Sequence, residues 1–455
     1  MISYPTTGSV ERPRIKIEDA ISLLLQLMFS GAVGPTVGKG VGYSLMQENE
    51  DSFVFIAGLE DMEMEEPIYR YRVVIDRESG KVDPPELVSL STPDLADAIL
   101  HATGQHVAES KRFTDGALSI SYKVSVQEDP DVQYILQLRH HGNVESMNTI
   151  MQLVSSKVDH RILPLPTAYP IPNPSEFSGM GIQITRFVPG VMAHKSYPLM
   201  SQEERFRFVR NLARAFDALW QLHLPERFMI GELRAIQQGG SIKLSVLPDR
   251  HHSLGGPFKS VSDYLRAHIH GAFQSFQKQQ GIEEYKSWYL QPVRDFVESG
   301  MPHIPTVVEE IPVVFSHSDM GLHNIIVSAS DPSEIVAIID WEFCASSPYA
   351  CLESMIERLF REPAANGFGR EYPGAKELRE AFWGSIPKWD SWNQSEAMKV
   401  FREWYRFGIF MKGEWRPEDL KGEERDTFWA ENIRVVERFL AKQQPEERNV
   451  HEYSY

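Results

Sequence analysis

The sequence predicts an α+β protein, with sheet concentrated toward its beginning and helix toward its end. Three observations carry this. Short β-branched and aromatic runs punctuated by turn residues recur early in the chain: Ser52 to Ala57, Ile68 to Ile75, Phe113 to Val124, Val132 to Leu138 and Ile182 to Val188. From Ser201 onward apolar residues recur at helical spacing, as in Phe206, Val209, Leu212, Ala213, Phe216, Leu219 and Trp220. One hairpin interrupts that helical text, where Ile325 to Val327 and Ile335 to Ile339 flank the polar turn Ser328 to Glu334.

At 455 residues the chain is long enough for two or three compact units with a substantial core. Hydrophobic residues at 42% and charged residues at 24% exclude a chain disordered over most of its length. The 46 basic against 63 acidic residues give a net charge of −17, which disfavours nucleic acid or an anionic membrane as the main partner and favours a cationic small molecule. Cys344 and Cys351 are too few and wrongly spaced for a zinc site or a disulfide framework, so reduced thiols are expected. The first residues form no basic-then-apolar signal. The longest apolar run, near Ile21 to Phe29, is broken by Ser22 and Gln26 and is too short to span a bilayer. A soluble cytoplasmic protein is the expectation.

The elements follow in order. Ile15 to Ser30 reads as a helix with Ile17, Ile21, Leu24, Leu25 and Met28 on one face and Gly31 as its stop. The glycine-rich segment Gly34 to Gly40 has the wrong spacing for a phosphate loop and reads as a connector. Ser52 to Ala57 and Ile68 to Ile75 read as strands of a half-exposed sheet, closed by the turn signal Arg77 to Gly80. Pro93 to Leu100 starts a helix with Thr92 as its N-cap. Phe113 to Val124 reads as strand, tight turn at Gly116, strand; Val132 to Leu138 is a third strand, and Asn143 to Val154 is a helix. Ile182 to Val188 reads as a buried strand ending in the turn Pro189-Gly190.

Ser201-Gln202-Glu203-Glu204 fits a capping box at the head of a core helix running toward His223. His223 and the pair His251-His252 lack further spaced ligands and read as surface or capping histidines. Helical text returns from Asp263 toward Ser299, and again at Met355 to Phe360, Leu378 to Phe382, Ala397 to Phe410 and Trp429 to Leu440. Glu353 and Glu357 are acidic residues in this region that could meet a cationic ligand. The tail from Gln443 reads as disordered.

The chemistry is concentrated between Ile311 and Glu342. A hairpin turn centred near Pro332 pairs Asn324 with Asp340 at its open end, and Asp319 lies five residues upstream of Asn324 in a glycine-containing loop. An amide oxygen beside a carboxylate suits a hard cation such as Mg²⁺, and a further carboxylate can take the proton from an attacking hydroxyl. The run His317-Ser318-Asp319-Met320-Gly321-Leu322-His323-Asn324 fits an H-x-D-x-x-x-x-N catalytic loop, and Asp340-Trp341-Glu342 stands where kinase-like enzymes carry a metal-binding Asp. On these residues the chain resembles the aminoglycoside phosphotransferase and choline kinase-like family, in particular its fungal branch.

The resemblance implies a two-lobed protein kinase-like fold: a small antiparallel-sheet N-lobe over residues 101–190 and a helical C-lobe over 191–442 carrying the catalytic loop and acceptor pocket. Residues 1–100 would be an added α+β unit without an assigned role and 443–455 a tail. It further implies Asp319 as catalytic base, His317 as support for the loop, and Asn324 and Asp340 as metal ligands. ATP and Mg²⁺ would be the cofactors and a small-molecule hydroxyl the acceptor. Gly116 would lie in the loop over the ATP phosphates, and backbone near Thr185 and Phe187 would meet adenine. Aligning Tyr134-Ile135-Leu136 with the family's apolar triplet puts Gln137 where a phosphate-binding Lys or Arg is usual. Arg139, two residues on and on the same strand face, and Lys123 on the neighbouring strand are the replacement cations, with Glu145 as candidate partner. The neutral Gln137 also motivates a rival reading, a catalytically silent nucleotide- or metabolite-binding module.

Overall fold

A computed structural model of the chain describes residues 16–17, 20–24, 41–48, 52–60, 67–76, 81–82, 86–113, 119–139, 144–169, 171, 181–224, 229–239, 241–249, 254–278, 283–298, 301, 303–362, 369–412 and 421–443. The fold is α+β and divides into two compact units. One takes the described residues up to Asn148 together with Thr167–Phe187, and the other takes Thr149–Pro166 together with the described residues from Val188 onward. The connector Gly34 to Gly40, the turns Arg77 to Gly80 and at Gly116, His251-His252 and the tail beyond Gln443 lie outside the described residues.

The first unit holds two antiparallel sheets. Strands β1 (Val41–Glu48), β2 (Ser52–Glu60), β3 (Pro67–Asp76) and β4 (Glu86–Leu87) form a meander in that order. Its small core joins Phe53, Val73 and Ile75 to Ala20 and Leu24 of the first helical segment. β1 is absent from the sequence-based expectation. The helix Thr92–Thr103 follows, but its N-cap is Ser91, one residue before the expected Thr92. Ser91 and Asp94 exchange backbone-to-side-chain hydrogen bonds in a capping box, which Thr92 cannot make because three residues on from it stands Leu95.

The second sheet has the order β5-β6-β7-β9-β8, from β5 (Val107–Arg112), β6 (Ser119–Val126), β7 (Gln133–Arg139), β8 (Ala168–Tyr169) and β9 (Gly181–Arg186). Period-two alternation sorts its faces. Ile120, Tyr122, Val124, Leu136, Leu138 and Ile184 bury one face together with Leu95 and Ile99 of the preceding helix. The opposite face carries Ser121, Lys123, Gln137, Arg139 and Gln183.

The second unit is mainly helical. Its central helix Gln202–Trp220 starts at the expected capping box, where Ser201 and Glu204 bond each other's backbone N–H groups. The helices Val261–Lys278, Glu283–Glu298, Ala375–Gly384, Pro387–Asn393, Glu396–Lys412 and Gly422–Gln443 complete its main helices. Met355 to Phe360, expected as one helix, is a five-residue helix Glu353–Glu357 followed by a 3-10 turn Arg358–Phe360. Two small sheets are set among these helices. β10 (Val191–Met192), β14 (Ile325–Val327) and β15 (Ile335–Ile338) form one. β11 (Gly231–Gln238), β12 (Ser241–Leu247), β13 (Val313–His317) and β16 (Cys344–Pro348) form the other, in the order β12-β11-β16-β13. The hairpin β11-β12 is absent from the sequence-based expectation, although Ser241 to Val246 alternates polar and apolar residues.

Gly190 shows how tightly the chain runs onto the hairpin. A Cβ there would lie 2.5 Å from Ile326 Cγ2 and 2.5 Å from the Val327 carbonyl oxygen, just before Val191 and Met192 pair with Val327 and Ile326. Backbone cannot yield as a flexible side chain can. Gly190→Ala is therefore expected to destabilise the protein by about 1–3 kcal/mol, read as a lower urea midpoint; an unchanged midpoint would contradict the close approach.

Candidate active site

The loop after β13 is built by its own backbone. The amide of Ser318 donates to Phe343 O at 2.7 Å, that of Met320 to His317 O at 3.1 Å, that of Gly321 to Asp319 O at 2.8 Å and that of Asn324 to Gly321 O at 2.9 Å. Leu322–Asn324 forms a single 3-10 turn and delivers Asn324 to the head of β14. Asn324 is 5% exposed, and its Nδ2 donates to both the backbone O and the Oδ2 of Asp319, each at 2.9 Å. From the other side His323 Nε2 donates to Asp319 Oδ1 at 3.1 Å. Burial acts to raise the Asp319 carboxyl. The hydrogen bond and charge of His323 and the amide of Asn324 outweigh it and hold Asp319 below the usual carboxylate range. His323 is displaced upward by its bond to Asp319, against burial, with the charge of Asp340 adding to the effect. His323 was not among the sequence-predicted site residues. Its position directly before Asn324 was the available signal, since a short turn brings neighbouring residues to one locus.

The hairpin register differs from the expected one. Ile325 pairs with Ile338 and Val327 with Ile335, with a bulge between Ile326 and Val327, so the amide of Ile339 donates to Asn324 O at 2.9 Å. Asn324 is thus opposite Ile339, one residue short of Asp340. At the turn end Val327 pairs with Ile335, a register that alone would set Asn324 opposite Ile338; the extra residue of the bulge brings it opposite Ile339. Asp340 leaves the strand at φ 66° and ψ 56°, the only non-glycine residue with positive φ among the described residues. That conformation costs an ordinary L-residue about 1–2 kcal/mol and is most often tolerated by Asp and Asn. Its charge acts on both His317 and His323, so it shares their locality. The 3-10 turn Trp341–Phe343 follows, with Trp341 Nε1 donating to Ile338 O at 2.9 Å.

His317 is fully buried, and burial pushes its imidazole down, so it is neutral. A carbonyl only accepts, so Nε2 carries the proton and donates to Ile339 O at 3.0 Å. The ring meets Trp341 edge-on at 4.9 Å between centroids.

The donor set fits Mg²⁺ rather than a caged transition metal. No group of three or more His, Cys, Asp or Glu side chains converges among the described residues. Asn324 spends its Nδ2 on Asp319, which turns its amide oxygen away from that bond. An amide oxygen and a carboxylate leave room for the waters and phosphate oxygens that a hard, small cation retains.

On the polar face of the five-stranded sheet, Gln137 is flanked by Ser121 on β6 and Gln183 on β9. Arg139 is 2% exposed, and its guanidinium donates to Gln137 Oε1 at 3.1 Å and Gln183 Oε1 at 3.4 Å. Gln137 Nε2 donates to Ser121 Oγ at 3.3 Å, and Gln183 Nε2 to Asn148 Oδ1 at 3.0 Å. Gln137 is therefore a holder of the buried cation Arg139. Gln183 and Asn148 were missed in the sequence, although the alternation Ile182-Gln183-Ile184 marks Gln183 as facing away from the core. Lys123 Nζ lies 4.0 Å from the centre of the Phe187 ring. Glu145 stands exposed in the first turn of the helix Val144–Lys157.

The amides of Arg186 and Phe187 are spent on Thr167 O at 2.8 Å and Gln133 O at 2.9 Å, and Thr185 is paired on both sides of β9, so neither of those two donors is open to a base. Gly116 lies outside the described residues. Glu353 and Glu357, expected as open negative charges, are instead paired. Glu353 accepts from Arg402 at 2.5 Å and Arg406 at 3.3 Å, and Glu357 from Arg379 at 3.1 and 2.9 Å. Together they line a cavity of about 580 Å³ whose acids and arginines balance.

A family model described as "Phosphotransferase enzyme family" matches residues 109–372, more than half of the chain and the whole stretch from β5 through the loop and hairpin. Among solved structures, the streptomycin–ATP complex of APH(2")-IIa is 13% identical, with a TM-score of 0.45 over 78% of this chain and 99% of that one. Aminoglycoside phosphotransferase APH(4)-Ia is 12% identical, with a TM-score of 0.44 over 78% and 100%. Spectinomycin phosphotransferase APH(9)-Ia with ADP and spectinomycin is 12% identical, with a TM-score of 0.42 over 79% and 96%. No curated protein sequence matches significantly. No helix among the described residues is long and apolar enough to cross a membrane. The family model spans the loop that holds Asp319 and Asn324 and the strand end that holds Asp340, and the chain belongs to the phosphotransferase enzyme family.

Proposed function

We propose that the protein is an ATP- and Mg²⁺-dependent phosphotransferase acting on a hydroxyl group of a small molecule. The observation that carries this is the hold on Asp319: a carboxylate kept ionised, with donors on both oxygens, within the family-matched region, and with the charge of Asp340 acting on the same His323. An ionised carboxylate can accept the proton of an acceptor hydroxyl as its oxygen attacks the γ-phosphorus. The bond from phosphorus to the bridging oxygen breaks, and ADP departs with that electron pair. Asn324 and Asp340 are the residues that would hold Mg²⁺, which when bound neutralises phosphate charge. His317 supports the loop from below through Ile339 O.

Phosphate binding on the sheet falls to Arg139. A neutral amide carries no charge to set against phosphate, whereas the guanidinium that Gln137 and Gln183 hold does. Lys123 adds a second cation on the same face, and Glu145 and Gly116 complete the nucleotide-binding proposal. The acceptor enters without a preference for positive charge from Glu353 or Glu357, since arginines already neutralise both.

Two measurements test this reading. Asp319→Asn is expected to lower phosphoryl transfer by roughly 10²–10⁴-fold while ATP binding, followed by calorimetry, stays near wild type; undiminished turnover removes Asp319 from the base role. Thermal unfolding should shift upward with ATP plus Mg²⁺ and much less with either alone, because a ligand that binds only the folded state stabilises it. Asp340→Ala should abolish the Mg²⁺-dependent part of that shift, and equal stabilisation by ATP with and without Mg²⁺ would favour the silent binding module instead.

A further inference from the structure

Asn324 fixes only one oxygen of Asp319. The terminal torsion of an Asp side chain is broad, so a carboxylate held at Oδ2 alone could still turn its other oxygen. In this loop the second oxygen is held as well. His323 Nε2 lies 3.1 Å from Oδ1 while Asn324 Nδ2 lies 2.9 Å from Oδ2, and the two donors come from adjacent residues of one 3-10 turn. Each carboxylate oxygen keeps a further lone pair, so this hold does not block proton acceptance.

His323 is not kept in place by burial, since its side chain is 55% exposed. What lets it lie over the loop is Gly321. A Cβ at Gly321 would sit 2.6 Å from His323 Cε1 and 2.7 Å from Nδ1, distances no pair of such atoms sustains. Gly321 has φ −110°, which any residue can adopt, so the backbone does not require glycine there. The space taken by the imidazole does.

We propose that His323 is a positioning residue that sets the plane of the Asp319 carboxylate, and that Gly321 is glycine in order to admit the His323 ring. This rests on Asp319 being the base of the proposed reaction. The fold places the ring, the loop glycine and both carboxylate oxygens in one interlocked turn, so disturbing either His323 or Gly321 should free the same carboxylate.

The test is steady-state ATP turnover with Mg²⁺, with water as acceptor, for His323→Ala, His323→Phe, His323→Gln, Gly321→Ala and the double variant Gly321→Ala/His323→Ala. Loss of the donor in His323→Ala and His323→Phe is expected to lower kcat roughly 10- to 100-fold, the scale on which a misplaced reacting group acts. KM for ATP should stay within about twofold, as expected when the lost interaction serves chemistry rather than nucleotide binding. His323→Gln, which can offer an amide N–H near the Nε2 position, should recover most of the loss. Gly321→Ala should match His323→Ala, and the double variant should be no worse than either single one, because both remove the same contact.

A kcat for His323→Ala near wild type, or a double variant whose losses multiply, would overturn the proposal. Crystal structures of His323→Ala and Gly321→Ala give a readout independent of turnover. The Asp319 carboxylate should be rotated away from its wild-type plane, and an unchanged plane in both would overturn the proposal even in an inactive preparation. Asp319→Asn in the same assay separates the two readings. If it abolishes turnover while His323→Ala does not, only the positioning role fails; if it leaves turnover intact, the base assignment itself fails.

Discussion

The site depends first on one buried hydrogen bond, from His317 Nε2 to the carbonyl of Ile339. It ties the end of β13 to the end of the hairpin, two stretches more than twenty residues apart in sequence. Trp341 packs edge-on against the same imidazole, and the amide of Ser318 closes the span by bonding Phe343 O. The loop carrying Asp319 thus leaves from a fixed point, and Asp340 is delivered beside it from another. Because the imidazole is fully buried and held neutral, this tie does not compete for the charge of Asp319. For a buried imidazole N–H, such a bond is worth more than its net strength, because the alternative is an unsatisfied group.

Strain and satisfaction are divided in a way that suits chemistry. Asp340 adopts a left-handed backbone that most residues avoid, and it does so where the strand must turn sharply into Trp341. Such a conformation persists only when its surroundings over-determine it, and here the buried Trp341 on one side and the paired hairpin on the other do so. The polar face of the five-stranded sheet makes the opposite choice. Arg139 on that face is buried, and the amide oxygens of Gln137 and Gln183 accept from its guanidinium and orient it. Among the later helices, Arg379 and Arg402 are paired with carboxylates. Net charge over the whole chain says nothing about this division, which is local.

The α+β class, the order of the main strands, the capping box at Ser201 and the loop with its hairpin were legible in the sequence, for physical reasons that act over a few residues. Alternation with period two, helical spacing, turn chemistry and the tight pattern His317, Asp319, Asn324, Asp340 need no distant partner to be seen. What failed to show was either a strand whose alternation went unread, as in β1 and β12, or a feature decided by pairing across the chain. The bulge between Ile326 and Val327 moved Asn324 opposite Ile339. Arginines from later helices took the charges of Glu353 and Glu357. Sequence alone marked His317, Asp319, Asn324 and Asp340 as the candidate groups. Tertiary structure decided that Gln137 serves Arg139 and that His323 shares the hold on Asp319, because the strength and direction of a hydrogen bond depend on a separation in space that residue spacing does not contain.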